Sequence, residues 1–364
     1  MRRIGLPEIR DCLAGNVPVA EADLSGLDLS GEELAGAIFI DIVAVGTLFG
    51  DAGLDRVLFK NARLQGADFS KSRLEKASFV DCDLSDALFG EASAGGSRWI
   101  NPNLSGVRFS GAALGKAAFV KASLEKTSFA GSDLEKAAFV EGRFRETDFS
   151  GCRLVKTSFI GGDFSGCRFP GATFSNPIFV KAVLRGLDFS GMRLPMIQAS
   201  DCDLSGTRWE KASFSLGNFS RSNLSGAVFD RAEAEKVLFT EANLRGVSAR
   251  GVRFPMASFQ KSDCTGANFS EADLGLSPFT HADLTGADFT GARLVFCDFS
   301  HAGLPGAIFR GADLTRSNLH RAKEGSATFG PEMRALARET DPERARAEDF
   351  VPQIFDDKEG SHVP

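Results

Sequence analysis

Four histidines and seven cysteines are the residues of this 364-residue chain best suited to hold a metal or carry out nucleophilic chemistry. His281 and His301 lie twenty residues apart and His320 nineteen further on, with Asp298 close by. In a chain that repeats every twenty residues, the three imidazoles meet on one corner, beside an oxygen donor. That is the donor set of a weak divalent-metal site, and the plainer reading is a row of exposed polar corner residues. No metal or cofactor is assigned. Among the cysteines no pair has CxxC spacing, and Cys82, Cys152, Cys167, Cys202 and Cys297 fall where Ala or Ser stands in neighbouring units. Cys264 replaces an apolar centre and Cys12 lies in the N-terminal segment. Such thiols are expected to pack as small hydrophobes. Nothing else forms a nucleophile–base pair, a phosphate-cradling loop or paired carboxylates, so no enzymatic activity is expected.

The element that positions all of these residues is a five-residue repeat. From Leu24 to Leu319, each of sixty successive positions five apart carries a centre, 29 of them Phe and 23 Leu, without a slip in phase. The exceptions are Ala44, Ala94, Trp99, Ala199, Trp209, Ala234, Ala249 and Cys264. Two residues before each centre stands a mostly small residue, as in Ala282-Asp283-Leu284-Thr285-Gly286. A period of five is neither helical nor strand-like. It needs a backbone that turns a corner every five residues, keeping the centre and the small residue inward. Four sides close a twenty-residue square, and squares stack at the interstrand spacing of roughly 4.8 Å. Centres ending in 9 are Phe in 24 of 30 cases and those ending in 4 are Leu in 21 of 30, so Phe belongs to two opposite faces. The chain has 33 Phe and no Tyr, which points to interior slots with no partner for a phenol. Gly recurs two residues after the centre on one face, at Gly26, Gly46 and Gly66 for example, where a corner wants positive φ.

These units resemble the pentapeptide-repeat family, with its consensus Ala-(Asp/Asn)-Leu-x-x, over about residues 20 to 320. The resemblance implies an all-β solenoid, a right-handed quadrilateral β-helix of about fifteen coils and roughly 70 Å of rod, with short helical caps. The expected division is an N-terminal cap segment 1–20, the repeat β-helix 21–320, and a helical cap with an acidic tail 321–364. Leu6, Ile9, Cys12 and Leu13 share one face of a short helix ending near Gly15, and Ile38, Ile40, Val43, Val45 and Leu48 are its expected seat. Residues 331–349 are helix-prone with Pro342 interrupting, and Phe355 to Pro364 reads as a mobile tail. Residues 13–31 and 314–322 are similar to stretches of pentapeptide-repeat proteins found with bacterial type VI secretion systems. That likeness implies an accessory or adaptor role and a secretion-system component as partner.

Some members of the family, those conferring fluoroquinolone resistance, resemble duplex DNA in size and charge and bind DNA gyrase. The outward Asp23, Asp83, Asp163, Asp203, Asp263 and Asp283 raise that alternative. Magnitude opposes it. A 70 Å duplex carries about 40 charges, whereas this chain has a net charge of −6 and its middle, 91–260, holds 22 Lys or Arg against 16 Asp or Glu. The balance also excludes a strongly basic nucleic-acid binder. No run of 18 apolar residues and no signal-peptide core occurs, so the expected compartment is the cytoplasm and no membrane partner is expected.

The outer surface is more informative. On the face centred at Phe39, the residue after the centre runs Ile40, Lys60, Val80, Ile100, Val120, Val140, Ile160, Val180, then Ser200. The neighbouring corner runs Arg56, Lys76, Lys116, Lys136 and Lys156, and later Met196, Leu216, Met256, Leu276 and Phe296. Val80, Ile100, Val120, Val140, Ile160, Val180 and these five corner residues thus form an apolar track that shifts across one corner past mid-rod. An apolar strip flanked by lysines suits a contact surface. The expected function is a non-catalytic, rod-shaped scaffold that binds another protein, or itself, side-on.

Overall fold

The computed structural model describes residues 1–350; the tail expected from Phe355 to Pro364 lies outside the described residues. The backbone climbs twenty residues per turn, and each side pairs in parallel with the side twenty residues on. Asp23 bridges Val43, Val43 bridges Arg63, and Arg63 bridges Asp83. On the face centred at Phe39 the ladder is regular enough to form a ten-stranded parallel sheet from Val19–Ala20 to Gln198–Ser200. The ladder continues past Leu319. Phe309 pairs with Phe329 and Asn318 bridges Arg338, giving about sixteen turns rather than fifteen.

The corner explains the five-residue period. The amide of Leu27 donates to Leu24 O (3.0 Å), with Gly26 between them at φ 68°, the signature of a type II turn. Every face uses this corner, not only the glycine-bearing one. Lys71, Lys116, Arg231 and His301 all take positive φ there, while Gly166, one of the recurring glycines, is absent from that group.

Inside, the two Phe columns mesh. Within a column the rings stack, as Phe39 on Phe59 at 4.8 Å and Phe49 on Phe69 at 4.7 Å. Between columns they meet edge to face, Phe49 to Phe59 at 5.9 Å, the arrangement the ring quadrupole favours. The slots are not devoid of polar partners. Thr47, Thr127 and Thr147 donate their hydroxyls to the carbonyls of the centres 23 residues earlier, Leu24, Leu104 and Leu124. Cys152 and Cys297 place their thiols against the equivalent carbonyls of Phe129 and Leu274, each at 3.0 Å. Ser, Thr and Cys substitute for Ala because each is small and finds the same acceptor.

The N-terminal end of the stack is covered. Helix α1 (Leu6–Ala14) has Pro7 near its start, where the missing N–H costs nothing, and the Glu8 carboxylate accepts from the Gly5 amide (2.8 Å). Its Ile9 is fully buried in the core, with Leu6, Cys12 and Leu13 packed around it. The helix therefore lies over the open end of the first coil. Its expected seat is corrected: Val45 and Leu48 remain 38% and 42% exposed. At the far end α2 (Pro331–Arg334) and α3 (Pro342–Glu348) follow the last coil, with Asp341 capping α3 by accepting from the amides of Glu343 and Arg344.

Candidate functional site

The outward ladder forms in the expected register. Ile40, Lys60, Val80, Ile100, Val120, Val140, Ile160, Val180 and Ser200 are successive partners in the ten-stranded sheet. Ile100 and Ile160 are exposed, while the valines shield one another and are half-buried. Lys116, Lys136 and Lys156 stand on the adjoining corner, each at positive φ.

Past mid-rod that corner becomes apolar. Met196, Leu216, Met256, Leu276 and Phe296 are all exposed, Leu216 and Leu276 by more than half. Each sits at positive φ, where a bulky side chain is disfavoured and glycine is the cheaper choice. Neither the core nor the turn calls for hydrocarbon there. Lys236 interrupts the column, and Leu238, 41% exposed on the next face, lies two residues on. Leu238 belongs to this surface by position. Its signal was its register with Ile178 and Gln198 in the column just before the centre.

The histidines do come together, with a different oxygen donor. The rings of His281 and His301 stack at 4.7 Å, and His301 meets His320 edge to face at 5.6 Å. Asp298 is committed elsewhere, accepting from the Ser300 amide and from Asn318. The carboxylate beside the rings is that of Glu348 on α3, whose Oε2 lies 3.2 Å from Nε2 of both His301 and His320. His320, His301 and Glu348 have the spacing of a metal cluster, and His281 stands outside it. The hydrogen bonds give the cluster another role. The Asp341 amide donates to His320 Nδ1 (3.1 Å), so in the neutral ring Nε2 carries the proton and donates to Glu348. A ring engaged in this way has no lone pair for a cation. Arg321 Nε, 3.4 Å from the same oxygen, adds a fixed positive charge. The His320 hydrogen bond, with that of Arg344 and the positive charge the two imidazoles carry once protonated, holds the Glu348 carboxyl down at about 2. The corner is a clasp for α3.

The outward aspartates also have structural work. Asp23, Asp83, Asp203, Asp263 and Asp283 each accept from the amide two residues on, and Ser or Thr hydroxyls join at Asp203, Asp263 and Asp283. Asp-Leu-Ser and Asp-Leu-Thr units brace the corner with a local Asx turn. The buried thiols are inert by environment. Burial pushes Cys82 and Cys202 up to about 11, and Cys152, Cys264 and Cys297 to about 12.

A pentapeptide-repeat profile matches residues 52–90, 103–139 and overlapping windows from 200 to 323, more than half of the chain. A second pentapeptide-repeat profile matches residues 144–186. No curated protein is significantly similar in sequence. Among solved structures, HetL, a pentapeptide-repeat protein involved in heterocyst differentiation regulation in the cyanobacterium Nostoc sp. strain PCC 7120, is 19% identical over 86% of this chain and 96% of its own, with a TM-score of 0.22. QnrB1, a plasmid-mediated fluoroquinolone resistance protein, is 23% identical over 42% of this chain and 94% of its own, also with a TM-score of 0.22. A pentapeptide-repeat protein of the Arabidopsis thaliana thylakoid lumen is 25% identical over 34% of this chain and 78% of its own, with a TM-score of 0.17. Among the described residues, no helix is long and apolar enough to cross a membrane.

Proposed function

We infer that this chain, which belongs to the pentapeptide-repeat family, works as a non-catalytic rod that binds another protein side-on along its apolar track. The observation that carries this reading is the corner column of Met196, Leu216, Met256, Leu276 and Phe296. These bulky side chains are exposed at backbone positions that disfavour them, and their contacts within the rod are peripheral, Arg316 over the Phe296 ring at 5.5 Å and Asn176 Nδ2 to Met196 Sδ at 3.7 Å. The ladder from Val80 to Val180 extends the strip by about 25 Å, at five steps of roughly 4.8 Å. Lys116, Lys136 and Lys156 supply a charged rim. A core filled with stacked rings leaves no interior pocket for a substrate.

Within that role the chain is assigned as a cytoplasmic accessory or adaptor of a bacterial type VI secretion system, on the similarity of residues 13–31 and 314–322 to proteins of that setting. The test is a pull-down from the native host with wild type and with Val120→Lys/Val140→Lys, which places two ammonium groups in the strip. The expected result is recovery of a secretion component by wild type and its loss from the double variant, with an unchanged circular dichroism spectrum. Equal recovery by a folded double variant refutes the track as the contact. Inhibition of gyrase supercoiling by the wild-type protein would replace the adaptor reading with DNA mimicry.

A further inference from the structure

We propose that the rod is two stiff arms joined by a hinge between the coil 161–180 and the coil 181–200. The coil 161–180 is the one turn of the repeat in which all four centres are Phe: Phe164, Phe169, Phe174 and Phe179. A typical turn, such as 121–140, alternates two Phe with two Leu. Four benzyl groups overfill a square sized for two. Overfilled cores relieve the crowding by moving backbone.

The relief is visible in the hydrogen bonds. On the faces centred at Phe169 and Phe174, the bridges Arg168–Asp188 and Thr173–Arg193 are missing among the described residues, although Asp148–Arg168 below and Asp188–Arg208 and Arg193–Ser213 above are formed. The amides of Phe169, Gly171, Phe174, Asp188 and Arg193 donate to no carbonyl of the adjacent coil. Of the usual contacts on these two faces, Asn176 to Pro195 O survives, at 3.1 Å. Phe169 and Phe189 are 6.5 Å apart and tilted by 30°, whereas Phe129 and Phe149 stack at 5.2 Å and 3°. Phe169, Phe174 and Leu187, fully inward by pattern, are 5–7% exposed.

The other two faces keep their bridges, although the corner amides of Gly166 and Lys181 also donate to no carbonyl of the next coil. Ile178 pairs with Gln198 and Phe179 with Ala199, while Phe164 N still donates to Val183 O (2.8 Å). Ala199 stands where this column normally carries Phe, so the coils can approach on the side opposite the gap. The seam is thus a wedge, open on the Phe169 and Phe174 faces and hinged along the Phe179 face. Widening the gap bends the arms toward the Phe179 face, which carries the Val80–Val180 ladder. The apolar track changes column at the same seam, from Val180 to Met196, so each arm carries its own stretch of apolar surface. That last consequence rests on the reading of the track as a contact surface; the hinge itself does not.

The test is amide hydrogen exchange on the full-length protein alone, resolved to single residues by electron-transfer fragmentation. The amides of Phe169, Gly171, Phe174, Asp188 and Arg193 should exchange at least tenfold faster than those of Phe129, Gly131, Leu134, Asp148 and Arg153. These equivalents two coils earlier donate to Asp148, Ser150, Arg153, Thr127 and Ser132. Phe174→Leu, which restores the usual third-face centre, should slow exchange at the seam severalfold and leave the comparison set unchanged. Equal protection of the two sets in wild type overturns the hinge, and so does fast exchange that persists undiminished in Phe174→Leu. Should that variant not fold, the wild-type comparison decides alone. No partner enters the measurement, so its failure leaves the track reading intact, and loss of partner capture leaves the hinge intact.

Discussion

The two tryptophans offer a test of how the core tolerates polar atoms. Trp99 is fully buried, stacked between Phe79 at 4.2 Å and Phe119 at 5.6 Å, with Phe89 and Phe109 at its edges. Its indole N–H donates to Ser97 Oγ at 2.8 Å, and Trp209 repeats the arrangement with Thr207 Oγ1 at 2.8 Å. Ser97→Ala leaves a buried donor without an acceptor in a filled column, at a cost of about 1–3 kcal/mol. Trp99→Phe removes the donor and some ring volume, costing about 1–2 kcal/mol by partial cavity formation. The double variant recreates an Ala-x-Phe unit like Ala77-Ser78-Phe79, already present one coil earlier. It should therefore be no less stable than Ser97→Ala, with a coupling of about 1–2 kcal/mol in a double-mutant cycle. Urea unfolding followed by circular dichroism for the four proteins gives that coupling. Additivity within about 0.5 kcal/mol would refute the claim that the hydroxyl is what admits the indole.

Other outcomes follow from the same geometry. Phe139→Asp buries a charge between Phe119 and Phe159 and should cost several kcal/mol; a soluble variant with unchanged melting would contradict the inward assignment of the centres. Iodoacetamide under native conditions should leave Cys82, Cys152, Cys167, Cys202, Cys264 and Cys297 unmodified until denaturant is added, because burial raises every one of these thiols above its ordinary range; rapid native labelling would place them outside the core. Glu348 titrates at about 2 in the folded protein, against an ordinary value of 4.5. Because the folded value is the lower one, its hold on α3 is complete above about pH 4.5 and is lost as pH falls towards 2. Glu348→Gln at pH 7 should speed amide exchange across residues 342–349, and exchange identical to wild type would mean that other contacts dock the helix.

The sequence and the structure agree where the physics repeats. A five-residue period with an inward centre and an inward small residue leaves one economical geometry. The Phe columns, the cysteine slots and the Val80–Val180 register follow from counting residues. What counting missed depends on atoms outside the period. Glu348 comes from a helix after the repeats end, so nothing in the spacing of His301 and His320 could show that their partner is a carboxylate 28 residues beyond His320 rather than Asp298. Glycine advertises positive φ on one face alone, while Lys71 and Met196 adopt it with no mark in the sequence. The absence of Tyr points to a lack of polar partners, yet the slot offers a carbonyl to Thr47 and a hydroxyl to Trp99.

These misses share a cause that also bears on function. In a solenoid each coil meets only its neighbours, so the inward positions are fixed by local volume and are nearly interchangeable from turn to turn. The outward positions carry no such constraint, and a departure there is informative in proportion to what it costs. Asp203 and Asp263 are accounted for by the turns they brace, and His301 and His320 by the helix they hold. Once these are set aside, the exposed Met196, Leu216, Met256, Leu276 and Phe296 remain, in the backbone conformation least suited to them. Replacing Leu216 and Leu276 with Gly removes hydrocarbon and relieves positive-φ strain together, so the folded rod should gain stability, by about 1 kcal/mol at each site. A working surface predicts that this more stable rod captures less partner. Melting temperature and pull-down measured on one preparation separate the two effects. A variant that gains stability and keeps full capture would show the apolar corner to be decoration.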